Sequence, residues 1–594
     1  MTNAAQHSRP DVRLMLFVFA LAILILVIRT LVGRADQPFF ADTDDAMRMV
    51  RVLDFIHGQP WYDLTAHRLN TPFGAELHWS RLVDLPLAGL VIALTPLFGP
   101  DGAMLAAGYI WPMALLVLLL WLSAVLAHRL VGPEGVLPAL VLPVLSPAIT
   151  AEFTPGRVDH HGVIIILTLA TAWAAVEAVR RPRFAIACGL LAATALAIAT
   201  ESLPTIAAAI LVFGLLFVAD ARQGRAMRHF GLAFAAGSVG HLALFRPPAR
   251  WLEAACDVIS PVYVAVALTV ALVFTLVSLF PARTPWGRFL SLALPGTAGM
   301  ALVALAWPQC LHGPYGELDP WLQANWIAGI IEAKPWAVSV FELPAYGVAV
   351  GIPVLLATLV VVYRLVRQPQ GRAEWAVLLA FLLGAALVML AQVRGARLAV
   401  MPAMPAAAWL ILAARARYLA HPRPVSILAL VGSWLAFSGM VLALLVTLVV
   451  NLSPGRAQDV AQARASKEPC LLPSAFADLA ALPPERIMAP VDLGAHILLH
   501  TPHEVVAAPY HRNQQGVRDA FRFFNDPLDQ VRPMLTARGI ALVVLCPAMA
   551  EVRGLPGQAP DSFAGLYAAN ALPPWLVDVS LPGGVLRVFA VLPQ

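Results

Sequence analysis

Charge is scarce in this chain. Of its 594 residues, 13% are charged and 60% are apolar. Lysine is scarcer still, since only Lys334 and Lys467 stand among 40 basic residues. No basic block of the kind that binds nucleic acid is present, and a net charge of +5 is small for this length. The five cysteines, Cys188, Cys256, Cys310, Cys470 and Cys546, form no CxxC pair, which argues against a cysteine-rich metal site. The polar segments carry no P-loop and no dinucleotide fingerprint. A mean hydropathy of +0.76 excludes disorder, and it excludes a soluble enzyme for most of the chain.

What the chain does have is apolar stretches of membrane-spanning length. The first runs from Leu14 to about Val32, behind Arg9 and Arg13, and reads as an uncleaved span. Further spans are expected near 104–127, 135–150, 162–179, 184–200, 204–220, 229–246, 260–281, 287–307, 345–366, 374–391, 398–416 and 425–451, thirteen in all. The run 83–99 is broken by Pro86 and Pro96 and is expected to be an interfacial helix. Arginines such as Arg180, Arg181, Arg183, Arg222, Arg225 and Arg228 gather in alternate short loops. The positive-inside rule then puts the N-terminus in the cytoplasm of an inner membrane protein. Loops 34–103 and 308–344 and the tail 452–594 fall on the opposite, periplasmic face. The tail has β-like runs at Glu504–Ala508, Ile540–Leu545 and Val585–Val591 and reads as a small α/β domain. It holds Cys470 and Cys546, where a disulfide is permitted. Cys256 and Cys310, near outer span ends, are a second possible pair.

Acidic residues at span ends are functional candidates by default. Four clusters fall on the outer side. Asp42-Thr43-Asp44-Asp45 follows the first span and suits a hard cation or acid/base work, or simply a helix start. Gly156-Arg157-Val158-Asp159-His160-His161 closes the third span with metal-ligand types and a phosphate-binding arginine, or caps a helix. Glu332 ends a short apolar run in the loop 308–344, with Lys334 and Glu342 beyond it. Arg394 and Arg397 stand on the outer side as a phosphate clamp or as snorkelling cations. Glu201, in Thr200-Glu201-Ser202, reads as a turn residue.

In this order the clusters resemble the catalytic subunit of oligosaccharyltransferase and its bacterial and archaeal homologues, GT-C class membrane glycosyltransferases. Asp44-Asp45-Ala46-Met47-Arg48 is similar to the family's aspartate motif after span one. Gly156 to His161 is similar to its Asp-His-His motif, Glu332 to its outer-loop glutamate, and Arg397 with Met401-Pro402 to its phosphate-binding arginine. The resemblance covers residues 14 to about 451. It implies a polytopic GT-C-like helical domain over 1–451 and a donor carried on polyprenyl phosphate. The acceptor would be a glycan, a lipid or a protein. Asp44, Asp159 and His161 would hold Mg²⁺ or Mn²⁺. Asp44, Asp45 and Glu332 would be catalytic, and Arg157, Arg394 and Arg397 would bind substrate. The family's Trp-Trp-Asp motif, which reads the acceptor sequon, has only Ala489-Pro490-Val491-Asp492-Leu493-Gly494 as a counterpart, so the acceptor is expected to differ. The competing class is a polytopic transporter or lipid-linked glycan flippase, which predicts charges buried in mid-span and some repeat symmetry, and no repeat is visible.

Overall fold

The computed structural model describes residues 11–33, 37–313, 315–316, 318–451, 467–549, 552 and 558–593. Arg9 and the expected domain junction after residue 451 lie outside the described residues. The protein is a multi-pass membrane protein, a helical bundle with a small sheet domain at one end.

Among the described residues, nine helices are long and apolar enough to cross a membrane, or up to eleven if each of two bent pairs counts as one span. Thirteen were expected. The stretches 184–200 and 229–246 form helices Phe184–Ile198 and Gly224–Phe245, but neither is among the nine. The first has only 15 residues, and the second carries Arg225, Arg228 and His229 in its first turns. The first helices in chain order are α1 (Val12–Gly33), α2 (Thr43–Ile56) and α3 (Arg81–Leu130). The run 83–99 is helical, as expected, but it is continuous with the next span inside α3. The two parts meet at a kink, where Gly99 takes φ 71° and Pro100 withholds an N–H. Next come α4 (Val136–Val144) and α5 (Pro147–Thr150), bent by 66° where Pro147 restarts the chain, and then α6 (His161–Ala178).

The sheet domain follows residue 466. The hairpin strands β1 (Thr65–Ala66) and β2 (Ala75–Glu76) belong to the first outer loop. The five domain strands are β3 (Arg486–Met488), β4 (Glu504–Val505), β5 (Leu542–Leu545), β6 (Leu576–Asp578) and β7 (Arg587–Val591), in the order β4-β3-β5-β7-β6. The first three are mutually parallel, and β7 runs antiparallel to β5 and β6. All three expected β-runs contribute strands. β3 and β6 were not anticipated, being three residues each. Cys470 and Cys546 are bonded, with Cα atoms 6.0 Å apart, and so are Cys256 and Cys310, at 5.2 Å.

α2 joins the two bodies. Met49 and Val52 enter the bundle core, while Ala46, Met47 and Val50 enter the core of the sheet domain. The first outer loop adds a further seam. Arg68 donates to the carbonyls of Leu498 and Thr501, each at 2.9 Å, and Leu69 bridges to Val505.

Candidate active site

Two opposed charge clusters fix α2. Its N-cap is Asp42, whose carboxylate accepts from the Asp44 N–H at 3.0 Å. One turn later Arg48 and Arg51 reach the fully buried Asp84 at 2.6 and 3.0 Å, joined by Arg81 at 3.3 Å. Trp79 lies under Arg48, 4.3 Å from the guanidinium carbon. Three arginines thus share one acid on this side.

On the other side four acids share one arginine. The turn 154–160 brings Arg157 to α2, and Gly156 makes the approach possible. It takes φ 95°, and a Cβ there would sit 2.0 Å from the carbonyl oxygen of Phe39. Arg157 then pairs with Asp42 at 2.8 Å, Asp45 at 2.9 Å, Glu152 at 3.0 Å and Asp159 at 2.6 Å. The second oxygen of Asp45 accepts from the backbone N–H groups of Val158 and Asp159 at 2.7 and 3.0 Å. Asp45 is fully buried, both its oxygens are occupied, and it does not line the cavity described below. That arrangement positions the Arg157 turn. A base that meets an acceptor would need an open face. Asp159 uses one oxygen for Arg157 and the other for the His161 N–H at 2.9 Å, which starts α6. Burial would raise the pKa of Asp159, but Arg157 outweighs that effect and holds it well below the usual carboxylate range.

Asp44 is different. Among the described residues no salt bridge engages its carboxylate, and Asp44 lines a cavity of about 970 Å³ with Glu152, Arg157, His161, Glu332, Arg394 and Arg397. Burial first, and then Asp42, push its pKa up to about 7. The Tyr510 hydroxyl, which donates to the Thr43 carbonyl at 3.0 Å, lies beside it.

Arg397 opens the helical stretch 396–420. It pairs with Glu152 at 3.1 Å and with Glu201 at 3.3 Å. Glu201 does sit in a turn, as expected, but its carboxylate also holds Arg397 and lies 3.6 Å from His161 Nδ1. Arg394 donates to the Gln392 side chain at 2.8 Å and shares the cavity wall. Glu332 is exposed on that wall, and Glu342 is taken up by Lys334 at 2.8 Å.

The four sequence clusters therefore meet at one end of the bundle. Two members were missed, Glu152 and the pairing role of Glu201. Neither belongs to a motif, and both are recognised only through Arg157 and Arg397. The cation set also differs in detail. The ligand atoms that lie within 4.8 Å of one another belong to His160, His161 and Glu201. Nδ1 of His160 and of His161 are both buried without a hydrogen-bond partner. Among the described residues, Asp42, Asp45, Glu152, Asp159 and Glu201 pair with Arg157 or Arg397, and Asp44 lines the cavity with Arg394 and Lys467. Orphaned imidazole nitrogens in an acid-rich pocket fit a divalent cation with nitrogen and oxygen ligands.

No protein-family profile matches the chain, and no curated protein matches it. Solved structures do. The archaeal oligosaccharyltransferase AglB from Archaeoglobus fulgidus, in complex with an inhibitory peptide and a dolichol-phosphate, superposes with a TM-score of 0.66 at 14% identity. The match covers 92% of this chain and 71% of that one. The Archaeoglobus fulgidus oligosaccharyltransferase complex with Zn and sulfate gives a TM-score of 0.62 at 13% identity, over 91% of this chain and 70% of the other. The same enzyme tethered to an acceptor peptide containing the NVT sequon gives 0.61 at 15% identity, over 92% and 71%. The chain thus has the fold of these GT-C membrane proteins.

Proposed function

We propose that this protein is a membrane glycosyltransferase. It moves a sugar or glycan from a polyprenyl-phosphate-linked donor to an acceptor at the outer face of the inner membrane. The observation that carries this reading is the single cavity where Asp44, His161 and Arg397 face one another at the end of the bundle. The oligosaccharyltransferase fold, and the dolichol-phosphate bound to AglB, support a lipid-linked phosphate as the donor. The arginine bias of the short loops supports a cytoplasmic N-terminus and a periplasmic sheet domain.

Transfer breaks the bond between the sugar C1 and a phosphate oxygen and leaves negative charge on that phosphate. Arg397 is built to meet it. Nη1 gives one hydrogen bond to Glu152, which leaves its second N–H for the phosphate, while Nη2 is held by both oxygens of Glu201. The two acids lock the guanidinium plane in advance, so stabilising the developing charge needs no reorganisation. Arg394 adds a second positive charge on the same wall. Arg157 is committed to its four acids and acts by holding the Asp42–Asp45 segment in place. Glu332, on the same wall, serves to position the acceptor.

A divalent cation fits this pocket. His160, His161 and Glu201 would hold it, with Asp44 lining the same cavity and Asp159 orienting His161 through the α6 N-terminus. Bound there, it would supply Lewis-acid stabilisation of the leaving phosphate. Mg²⁺ and Mn²⁺ are the ions the fold family implies, and imidazole ligation favours Mn²⁺. With a pKa near 7, Asp44 is also suited to take the proton from the acceptor nucleophile. The sheet domain offers Asp492 and Lys467 to the cavity rim in place of a tryptophan pair, which supports an acceptor other than an asparagine sequon.

The test is release of free polyprenyl phosphate by purified protein given a pool of polyprenyl-phosphate sugars and membrane extract. Release by the wild type that is lost in Asp44→Ala and Arg397→Ala, and reduced by EDTA, is the expected result. Release undiminished in both variants would overturn the assignment of the site.

A further inference from the structure

A second group of ligating side chains lies outside the cavity, where three separate segments converge. His78 comes from the first outer loop and Asp257 from the loop beside the Cys256–Cys310 disulfide. His511 comes from the sheet domain. One ligand atom from each lies within 4.8 Å of the others. The geometry points to a structural zinc-type site made by His78, Asp257 and His511, a clamp that joins the first outer loop and the loop that holds Cys256 to the sheet domain.

The donor set suits the ion. Two imidazoles and one carboxylate are a ligand set that zinc takes, and water would fill the fourth position. The imidazole rings of His78 and His511 are already 4.5 Å apart, centroid to centroid. Nδ1 of His78 is buried with no hydrogen-bond partner, which is costly for a polar atom unless something binds it.

The supporting contacts are also in place. Arg512 grips Asp257 with two bonds, of 2.7 and 2.8 Å, and so orients the carboxylate as an outer-shell partner does. Tyr315 packs edge-on against His511, centroids 5.0 Å apart. At present His511 Nε2 hydrogen-bonds to Asp257 at 2.7 Å. Tetrahedral zinc with bonds of about 2.0–2.2 Å keeps ligand atoms roughly 3.4 Å apart, so this contact would open by under an ångström. The neighbouring residue, Tyr510, carries the hydroxyl beside Asp44. A clamp on His511 therefore also fixes a wall of the cavity.

The experiment measures zinc per chain after dialysis of the purified full-length protein in detergent. Wild type, His161→Ala, His78→Ala and His511→Ala are compared. The clamp predicts that His78→Ala and His511→Ala each lose one zinc relative to wild type, whatever His161→Ala does. X-ray absorption on the His161→Ala protein, in which the proposed clamp is intact, should show two imidazoles and one oxygen ligand from the chain. It needs no change at the clamp itself, so a folding failure of the other variants does not blunt the test. Equal zinc content in wild type and both clamp variants, or a zinc shell in His161→Ala without imidazole, would overturn the proposal. Loss of zinc in His161→Ala reports separately on the cavity.

Discussion

Removing the Arg157 side chain should unlock the start of α2 without melting the bundle. Arg157 is the common partner of Asp42, Asp45, Glu152 and Asp159, and its own side chain is 17% exposed. The carboxylates of Asp45 and Asp159 are each only 1% exposed, so Arg157→Ala leaves two buried anions without their cation. Losing one partner of a buried pair costs about 3–5 kcal/mol. Asp42 is 46% exposed and is discounted, because water screens it. The loss is local, so a global unfolding curve is the wrong assay for a protein of several cooperative units. Amide exchange over 42–52 and 154–161 is the right one. At 1.4 kcal/mol per tenfold, protection there should fall by about two to three and a half orders of magnitude. The rest of the bundle should be unchanged. Arg157→Lys should recover only part, since a point charge cannot span four carboxylates. Arg157→Ala with Asp45→Asn should recover more than Arg157→Ala alone. Protection within about threefold of wild type in both segments would refute the claim that this arginine holds the turn to α2.

Other outcomes follow from the same geometry. Asp44 has a raised pKa of about 7, so below that pH a cation competes with a proton. Cation affinity, read by calorimetry, should weaken as the pH falls from 7 towards 5, and Asp44→Asn should make the slope shallower. The sign for stability is the reverse. The cation-free fold is favoured by the proton on Asp44, fully so below pH 4, and this is lost as the pH rises through about 7. Arg397→Ala should lower kcat about 10²–10³-fold, as loss of a preorganised donor does, and Glu201→Gln less, because the guanidinium keeps Glu152. Replacing Cys470 and Cys546 by serine frees a separation of 76 residues and should cost the sheet domain about 4–5 kcal/mol, seen as faster proteolysis there while the bundle stays intact.

The site was partly legible before any coordinates. Asp44, the Gly156–His161 turn, Glu332 and Arg397 are short clusters at the ends of apolar runs, and a bundle gathers such ends on one face. What could not be read was which charge meets which. Glu152 and Arg397 are 245 residues apart in sequence, and Asp45 reaches the Arg157 turn across more than 100. Such pairing depends on helix packing, which hydropathy does not encode. The count of spans falls short of thirteen where the apolar pattern is poor, at Gly224–Phe245, or the helix short, at Phe184–Ile198, although both stretches are helical. His78 and Asp257 escaped notice because they are single residues in loops, and His511 stands in a polar run, Tyr510-His511-Arg512-Asn513, that could face a substrate but carries no motif. The three β-like runs were readable as apolar stretches rich in valine, whereas β3 and β6, of three residues each, carry no such run.

The two charge knots on α2 carry a constraint on how this chain can change length. Asp45 reaches Arg157, and Arg48 and Arg51 reach Asp84 from the next turns of the same helix. Each helical residue advances the side chains by about 100°. A single added codon between Asp45 and Arg48 would therefore rotate one knot away from its partners while the other stayed put. No rigid shift of the helix could restore both. The same addition at His57 or Gly58, which are exposed beyond the helix end, alters neither knot. An insertion scan across 43–60 should behave as a phase meter, intolerant up to Arg51 and permissive past Ile56. The segment that delivers Asp44 to the cavity is thus free to mutate in its letters at several positions, but not to slip in its frame.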